Sequence, residues 1–288
     1  MHLFRLATAT LAALLVALPA VAQAQTQTKP KPEAYEPHVG QAGKDVIWVP
    51  TPDEVVERML RMAQVTPNDY VVDLGAGDGK IAIMAAKKFG ARALGIEYNP
   101  EMARHAQRNA EKAGVAARAR IVQGDIFVTD FTQATVLTMY LLPALNLKLR
   151  PQILAMRPGT RVVSHSFNMD DWEPDESASM DGRRAHFWVV PAKVDGTWNL
   201  EITGGGAAEK TELTFEQKYQ KLEGTVGLGA AVLGGLREPR LRGFSIAFAY
   251  VDGNSLRREF SGRVSGNRME GSFRADNGTE GRWVATKK

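Results

Sequence analysis

The sequence predicts an α/β fold, a parallel sheet with helices on both faces, followed by a small antiparallel β-rich domain. Two observations lead to this prediction. From Trp48 to about Asn168, short apolar runs alternate with segments of helical periodicity, a pattern typical of parallel strands joined by crossover helices. From Gly196 onward, 16 of the 27 glycines separate short runs of alternating polarity, which suits an antiparallel meander or a small barrel.

The first 24 residues have the three parts of a secretory signal peptide. Arg5 gives a basic start, an apolar run extends from Leu6 to about Val21, and Ala22-Gln23-Ala24 forms an A-x-A cleavage site. Pro19 interrupts the run, which is short for a membrane span. We expect a signal peptide over 1–24 and a periplasmic or secreted protein with no stable membrane span after cleavage. The alternative is an uncleaved anchor, or a cytoplasmic protein if the signal does not function.

Three segments follow the signal. Residues 25–47 are rich in Gln, Thr, Lys and Pro and predict a linker. The α/β domain is predicted over 48–192, and the β-rich domain over 193–288. The boundary near 192 follows from the change in character after about Arg184, where short runs separated by Gly-containing turns begin. The alternative is that the second domain continues the edge of the first sheet.

The first helix of the α/β domain is predicted in TPDEVVERMLRMA, residues 51–63. Thr51 as N-cap, Pro52 at the first helical position and Glu54 at the third form a capping box. The apolar residues that follow fall on one helical face.

The later elements follow from apolar runs, caps and glycine stops. Gly90 ends one helix, and Asn99-Pro100 begins the next, which stops at Gly114. The predicted elements are a strand at 68–74, a helix at 79–89, a strand at 91–97, a helix to 113, strands at 118–125 and 134–140, a helix at about 144–156 and a strand at 160–167.

The composition is that of a soluble globular protein, with 44% hydrophobic and 24% charged residues in a chain of 288. The net charge of +4 and the lack of a Lys/Arg-dense run argue against a nucleic-acid partner. The sequence contains no cysteine, which excludes disulfides, thiolate metal sites and cysteine nucleophiles. The histidines have no metal-ligand spacing, and we expect no metal.

A glycine turn in VVDLGAGDGK, residues 71–80, indicates a small-molecule site at the end of the first strand. The order Gly75-x-Gly77-x-Gly79 departs from the dinucleotide fingerprint, and Asp73 and Asp78 would repel an anionic pyrophosphate. The segment does not match a P-loop either, because Lys80 is followed by isoleucine rather than by serine or threonine. A cationic ligand fits this turn better.

Three consecutive strands end in a carboxylate. Glu97 is at the end of the second strand and Asp125 at the end of the third, and Asp73 is near the end of the first. Glu97 is placed like the acidic residue that binds ribose hydroxyls. A structural turn with solvated strand ends is the alternative, but three carboxylates in register along one edge favour a binding site.

The segments VVDLGAGDGK, GIEYNP and QGDIF resemble the successive motifs of the class I S-adenosylmethionine-dependent methyltransferases, over roughly 48–192. The resemblance implies a Rossmann-like seven-stranded methyltransferase sheet and S-adenosyl-L-methionine as methyl donor. It implies that Asp73, Gly75 and Gly77 line the methionine moiety, that Glu97 holds the ribose and that Asp125 with Ile126 reads the adenine. Ala76 and Tyr98 are counted among the cofactor-binding residues. The positive sulfonium and amino groups agree with the charge argument.

A closer resemblance involves VPTPDEVVERML, TMYLLP and RPGTRVVSHSFNMDDW, which look like the FAM173-like lysine methyltransferases and their bacterial relatives. The animal members methylate lysines on mitochondrial membrane proteins. The resemblance implies an amine acceptor, a role for Thr51 at the cofactor and acceptor entrance, and an active-site position for Tyr140. The export signal and the β-rich domain are departures from the family.

Both candidate catalytic residues have structural alternatives. Thr51 is also predicted as a helix cap, and Tyr140 is equally a core aromatic at a strand end. His165, in the fifth strand, is more simply a core histidine than a site residue.

Two hypotheses about function remain open from the sequence. The first is a methyltransferase that acts on an amine acceptor, either a protein lysine or a small molecule. The second is an exported protein that binds S-adenosylmethionine or S-adenosylhomocysteine with little turnover, because the donor is made in the cytoplasm. A nucleic-acid methyltransferase lacks support for two reasons. The sequence has no basic patch, and no Asn-Pro-Pro-Tyr-type signature follows strand four.

Overall fold

The computed structural model describes residues 35–204, 208–228 and 231–288. The predicted signal peptide, 1–24, lies outside the described residues. The α/β part contains four helices and seven strands in chain order: α1 (Asp53–Met62), β1 (Tyr70–Leu74), α2 (Lys80–Phe89), β2 (Arg92–Glu97), α3 (Pro100–Lys112), β3 (Ala119–Gln123), β4 (Val136–Met139), α4 (Pro143–Leu154), β5 (Arg161–His165), β6 (Glu176–Met180) and β7 (Arg183–Val189).

The seven strands form one sheet in the order β3-β2-β1-β4-β5-β7-β6. The first five are parallel, while β7 runs antiparallel to β5 and β6 antiparallel to β7. The order reverses between β1 and β4, and this is where open α/β sheets bind their ligands. The predicted seven-stranded sheet is confirmed. The strand-and-helix pattern alone did not indicate the β6–β7 hairpin at its edge.

Helices cover both faces of this sheet, as predicted. The strand β1 is buried along both faces, so its side chains alternate between two cores. Val71 packs with α1, α2 and α3, whereas Val72 and Leu74 pack with α4, Phe131 and Trp172. The two-sided burial explains why the strand is a continuous apolar run.

The expected cap of α1 by Thr51 is wrong. The helix begins at Asp53 with Pro52 in the N-cap position, and no side chain among the described residues caps it. The backbone N–H groups of Val55 and Val56 bond to the carbonyl oxygen of Pro52 at 3.1 and 3.0 Å. Thr51 is left one residue outside the helix, buried, with its hydroxyl free to bond elsewhere.

The C-terminal part is a second, antiparallel sheet of nine strands. The strands are β8 (Gly196–Thr203), β9 (Glu209–Lys218), β10 (Lys221–Leu228), β11 (Ala231–Gly235), β12 (Arg237–Arg242), β13 (Ser245–Val251), β14 (Arg257–Ser265), β15 (Arg268–Ala275) and β16 (Glu280–Lys287). Their order in the sheet is β11-β10-β9-β8-β16-β15-β14-β13-β12. The sheet curls until it is nearly closed, because its two edge strands, β11 and β12, are joined by Leu236 alone.

Aromatic side chains fill the interior of the nine-stranded sheet. The buried ones are Trp198, Phe215, Phe248, Tyr250, Phe260, Phe273 and Trp283. Phe244 differs from them, because it is only half-buried, against Gly159 and Arg263. Because these side chains fill it, the described part of the sheet encloses a packed core rather than a ligand cavity of the lipocalin kind. In the three described stretches, no helix is both long and apolar enough to cross a membrane.

Candidate active site

A cavity of about 300 Å³ lies at the carboxyl ends of β1, β2 and β4. Residues 41–48 cover it, and we call them the roof segment. All ten predicted site residues line this cavity: Thr51, Asp73, Gly75, Ala76, Gly77, Glu97, Tyr98, Asp125, Ile126 and Tyr140. The structure therefore brings residues from five separate stretches of sequence to one place.

The glycine turn follows β1 directly and is fixed by Glu97. Gly75, Gly77 and Gly79 have φ values of 80°, 54° and 82°, a backbone region that favours glycine. Glu97 accepts a bond from the Gly77 N–H at 2.9 Å through one carboxylate oxygen, and from the Asn99 N–H at 2.9 Å through the other. The carboxylate thus joins the turn to the start of α3 and keeps lone pairs for a ligand.

The roof segment lies directly over this turn. A side chain on Gly77 would collide with the indole ring of Trp48. The segment is a short hairpin in which Gly40 N–H bonds to Trp48 O and Trp48 N–H to Gln41 O, both at 2.9 Å. Sequence reasoning placed 41–47 in a linker and missed its place in the site. The only local signal was Trp48 beside glycines 40 and 43.

The buried carboxylate at the end of β1 is Asp73. It is 2% exposed and accepts a hydrogen bond from the Thr138 hydroxyl at 2.7 Å. Burial raises the pKa of Asp73 to about 7, and the nearby charges of Asp78 and Glu97 add to this rise. Burial also raises the pKa of Glu97, against the backbone N–H groups that bond to it. This end of the cavity is therefore suited to a cation.

A lysine of the roof segment closes the other end of the cavity. Lys44 Nζ lies 2.8 Å from Asp125 Oδ2 and 4.7 Å from the centre of the Tyr98 ring. The other oxygen of Asp125 accepts from the Phe127 N–H at 2.9 Å. Lys44 first, and then the Phe127 N–H, hold the pKa of Asp125 below its usual range. Because Lys44 and Asp125 are partly exposed, this ion pair is weak.

Aromatic rings form the third wall. The ring of Tyr140 lies 4.0 Å from the His165 ring between centroids, and 6.3 Å from Phe167, nearly parallel to it. Tyr140 and Phe167 both line the cavity. Tyr140 is therefore a cavity residue and only half-buried, rather than a core aromatic.

His165 is buried behind this wall, as the sequence suggested. Its Nδ1 lies 3.1 Å from the hydroxyl of Thr51, and its Nε2 has no partner among the described residues. Burial and the charge of Arg183 lower the pKa of His165 to about 4, so the ring is neutral at physiological pH. An unpaired acceptor is more tolerable in a core than an unpaired N–H, so we assign the proton to Nδ1 and the acceptor role to Thr51.

The carboxylates of the loop that follows β5 do not line the cavity. Asp171 is paired with Arg150 at 2.6 Å and Lys218 at 3.3 Å, and Asp175 accepts from the Val189 N–H at 2.7 Å. These carboxylates hold the loop in place.

Comparison with known proteins gives consistent matches to the α/β part. Residues 73–176 match the model of the ANTKMT methyltransferase domain. A protein-lysine N-methyltransferase of Saccharolobus islandicus is 47% identical over 156 residues, which are 53% of this chain and 92% of that protein. The adenine nucleotide translocase lysine N-methyltransferase of Mus musculus is 30% identical over 153 residues, 52% of this chain and 61% of that protein.

A similar solved structure is described as an RNA methyltransferase from Salinibacter ruber in complex with S-adenosyl-L-homocysteine. It is 47% identical, with a TM-score of 0.50, and the match covers 51% of this chain and 96% of that one. The chain thus spans nearly all of these two microbial relatives, but about half to two thirds of the length of the mammalian lysine methyltransferases that it matches.

Proposed function

This chain belongs to the class I S-adenosylmethionine-dependent methyltransferases, close to the FAM173-like group, and from that premise we propose that it methylates the side-chain amine of a protein lysine. S-adenosyl-L-methionine is the methyl donor, and it supplies an electrophilic methyl group on a positive sulfur. The acceptor and the roles of individual residues are our proposals.

We assign the cofactor to the acidic side of the cavity. Asp73, Gly75, Ala76 and Gly77 would hold the methionine moiety, because buried Asp73 favours a positive group. Glu97 would hold the ribose with the lone pairs that its two backbone bonds leave free.

The adenine would lie at the other end of this side, against the exposed ring of Tyr98 and between Ile126 and Asp125. To bind Asp125 itself, the adenine must displace Lys44 from that carboxylate.

The apolar side of the cavity, where the acceptor would bind, is the observation that supports a lysine acceptor. Its lining is apolar and aromatic, from Trp48, Tyr140, Leu142 and Phe167. A lysine can bury its four-carbon stem against such a wall and place its nitrogen beside the ring faces. A free lysine has a pKa near ~10.4 and must lose a proton before it can attack carbon. Apolar surroundings favour the neutral amine and exclude water from the transfer.

The rim of the cavity fits a protein acceptor. Ile47, Val49, Tyr98 and Leu142 line the cavity and are 62%, 39%, 49% and 46% exposed. Large apolar side chains gathered around one opening mark a surface that contacts another macromolecule. A lysine flanked by apolar residues is the acceptor that matches this rim.

RNA is the second candidate acceptor, because the similar Salinibacter ruber structure is described as an RNA methyltransferase. The lysines in the cavity lining do not favour it, because Lys44 pairs with Asp125 and Lys80 with Asp53 at 3.0 Å. A nucleic-acid site needs cations free to meet phosphates. The exported binding protein with little turnover, the other hypothesis, is tested by the same experiment.

The test has two steps on the full chain. Calorimetric titration with S-adenosylmethionine and S-adenosylhomocysteine is compared between the wild type and two variants, Glu97→Ala in the cavity and Glu101→Ala, an exposed glutamate at the start of α3. Micromolar binding that Glu97→Ala abolishes and Glu101→Ala keeps supports the pocket. Donor with a labelled methyl group is then supplied with total protein or total RNA from the source cells.

Label on protein, recovered as methyl-lysine after hydrolysis, supports the proposal. Label in RNA would replace it with the second candidate. Tight binding without transfer to either pool, or to a small-molecule extract of the same cells, would favour the binding protein.

A further inference from the structure

The turn between β9 and β10 reaches across to the α/β part of the chain. Tyr219 in this turn packs against the cluster that α4 forms on the first sheet. Its ring stacks on buried Trp172, with centroids 6.0 Å apart and planes at 27°. Its hydroxyl donates to Asp171 Oδ1 at 3.1 Å. The neighbouring Gln220 donates through Nε2 to the carbonyl oxygen of Glu173 at 2.7 Å.

Helix α4 also holds this loop, and its Arg150 lies over the Tyr219 ring, with Cζ 5.6 Å from the ring centre. Arg150 donates through Nη1 to Met169 O at 2.8 Å and to Asp171 Oδ1 at 2.6 Å. One helical turn earlier, Asn146 donates through Nδ2 to Phe167 O at 3.3 Å and Asn168 O at 3.2 Å. Residues 167–173, which we call the wall loop, are therefore held by both α4 and the β9–β10 turn. The loop begins with Phe167, which lines the cavity.

The backbone conformation of Tyr219 is unfavourable for a residue with a side chain, and its contact with Trp172 explains why a tyrosine is found there. Tyr219 has a φ of 57° in a two-residue turn, a place where hairpins favour Gly or Asn. Ser166 and Asp170, beside and within the wall loop, also have positive φ values of 64° and 58°. Left-handed residues with side chains persist only where the surrounding structure holds them. Tyrosine at this position is explained by its contacts across the two sheets.

We propose that the β9–β10 turn positions the acceptor wall, with Tyr219 as the positioning residue. This inference rests on the proposed function, in which Phe167 faces the acceptor. The nine-stranded sheet then acts on methyl transfer through the shape of the wall loop, without touching the acceptor or the cofactor.

The test compares Tyr219→Gly with Lys210→Ala in the full chain. Glycine accepts the left-handed backbone and removes only the ring and its hydroxyl. Lys210 lies at the other end of β9 from this turn, forms an exposed ion pair with Glu201 of β8 at 4.0 Å, and serves as the control. Hydrogen exchange is measured with S-adenosylhomocysteine bound, together with its Kd and the kcat and KM for the lysine acceptor.

In Tyr219→Gly we expect amide exchange in 167–173 to speed up about tenfold or more, with β1 and β4 unchanged. The Kd for S-adenosylhomocysteine stays within twofold, and kcat/KM falls about fivefold, mainly through KM. Tyr219→Phe, which keeps the stack, shows a smaller change. If Tyr219→Gly fails to fold, Tyr219→Asn takes its place, since Asn also tolerates this backbone.

Exchange in 167–173 that is equal in the Tyr219 and Lys210 variants would overturn the inference, as would a speed-up spread over both sheets. The exchange readout needs no acceptor. A wild type that methylates nothing would therefore count against the proposed function, while the exchange data still decide the role of Tyr219.

Discussion

The hydroxyl of Thr51 lies 3.1 Å from Nδ1 of His165 and joins the segment before α1 to the end of β5. The two residues are 114 positions apart in the sequence, and both are buried. Because the Thr51 oxygen accepts from the histidine, its own proton remains available for a ligand in the cavity that Thr51 lines. His165 also supports the ring of Tyr140.

Thr51→Val should lower kcat/KM about tenfold and reduce the melting temperature, because the isosteric valine leaves the His165 N–H buried without an acceptor. Thr51→Ser keeps the hydroxyl and should stay within about twofold of the wild type. Steady-state kinetics with thermal melts of both variants check this. Equal activity of the valine and serine variants would mean that the Thr51 hydroxyl has no role in methyl transfer.

Acid should destabilise the protein through His165. Its pKa is lowered to about 4 in the folded state, whereas an unfolded histidine titrates near ~6.5. The unfolded chain therefore binds the extra proton between these values, and stability is lost as the pH falls from about 6.5 to about 4. His186, whose pKa burial also lowers, acts in the same direction. Denaturant unfolding measures the free energy of unfolding at each pH in this range. Its dependence on pH should be shallower in His165→Asn than in the wild type. An unchanged dependence would mean that His165 is not the titrating group.

Cofactor affinity should depend on pH through Asp73. Its pKa of about 7 in the free protein means that a positive ligand binds best when this carboxylate is ionised. The Kd for S-adenosylmethionine should be roughly tenfold higher at pH 6 than at pH 8. Binding near pH 7 should release a proton from Asp73. Calorimetry in buffers of different ionisation enthalpy measures both quantities. Asp73→Asn serves as the control, and a pH dependence that survives in it would assign the titration to another group.

Gly77→Ala should abolish cofactor binding. The added carbon meets the Trp48 ring, and the φ of 54° disfavours any side chain. Gly114→Ala is the matched control, because Gly114 also has a positive φ of 72° but faces open space. Calorimetry with S-adenosylhomocysteine should show loss of binding in the first variant and full binding in the second. Retained binding in Gly77→Ala would mean that the roof segment does not press on the turn.

The sequence predicted the parts of the site that local patterns encode. The β1 strand, the glycine turn and the strand-end carboxylates are each read from a few adjacent residues, and parallel strands bring Asp73, Glu97 and Asp125 to one edge. The cap on α3 by Asn99 was also predicted, and its side chain accepts from the N–H groups of Glu101 and Met102.

The rest depends on contacts between distant residues. Thr51 matches a capping box, and nothing local indicates that His165 lies close enough to bind it. Lys44 is one polar residue in a Pro- and Gly-containing segment, and its partner Asp125 is 81 positions away. The Tyr219 turn violates the local preference for glycine, so only the folded contact with Trp172 explains it.

The roof segment also has a kinetic consequence. Residues 41–48 lie over the glycine turn, so we expect this hairpin to open once in each catalytic cycle, when spent cofactor is exchanged for fresh cofactor. The ion pair that holds it at Lys44 is partly exposed and easily broken, and the opening of a lid takes microseconds to seconds. Enzymes turn over on the order of 1–10³ times per second, so the two rates fall in overlapping ranges. The hairpin that keeps water from the methyl group during transfer is therefore also a candidate for the step that sets the turnover rate.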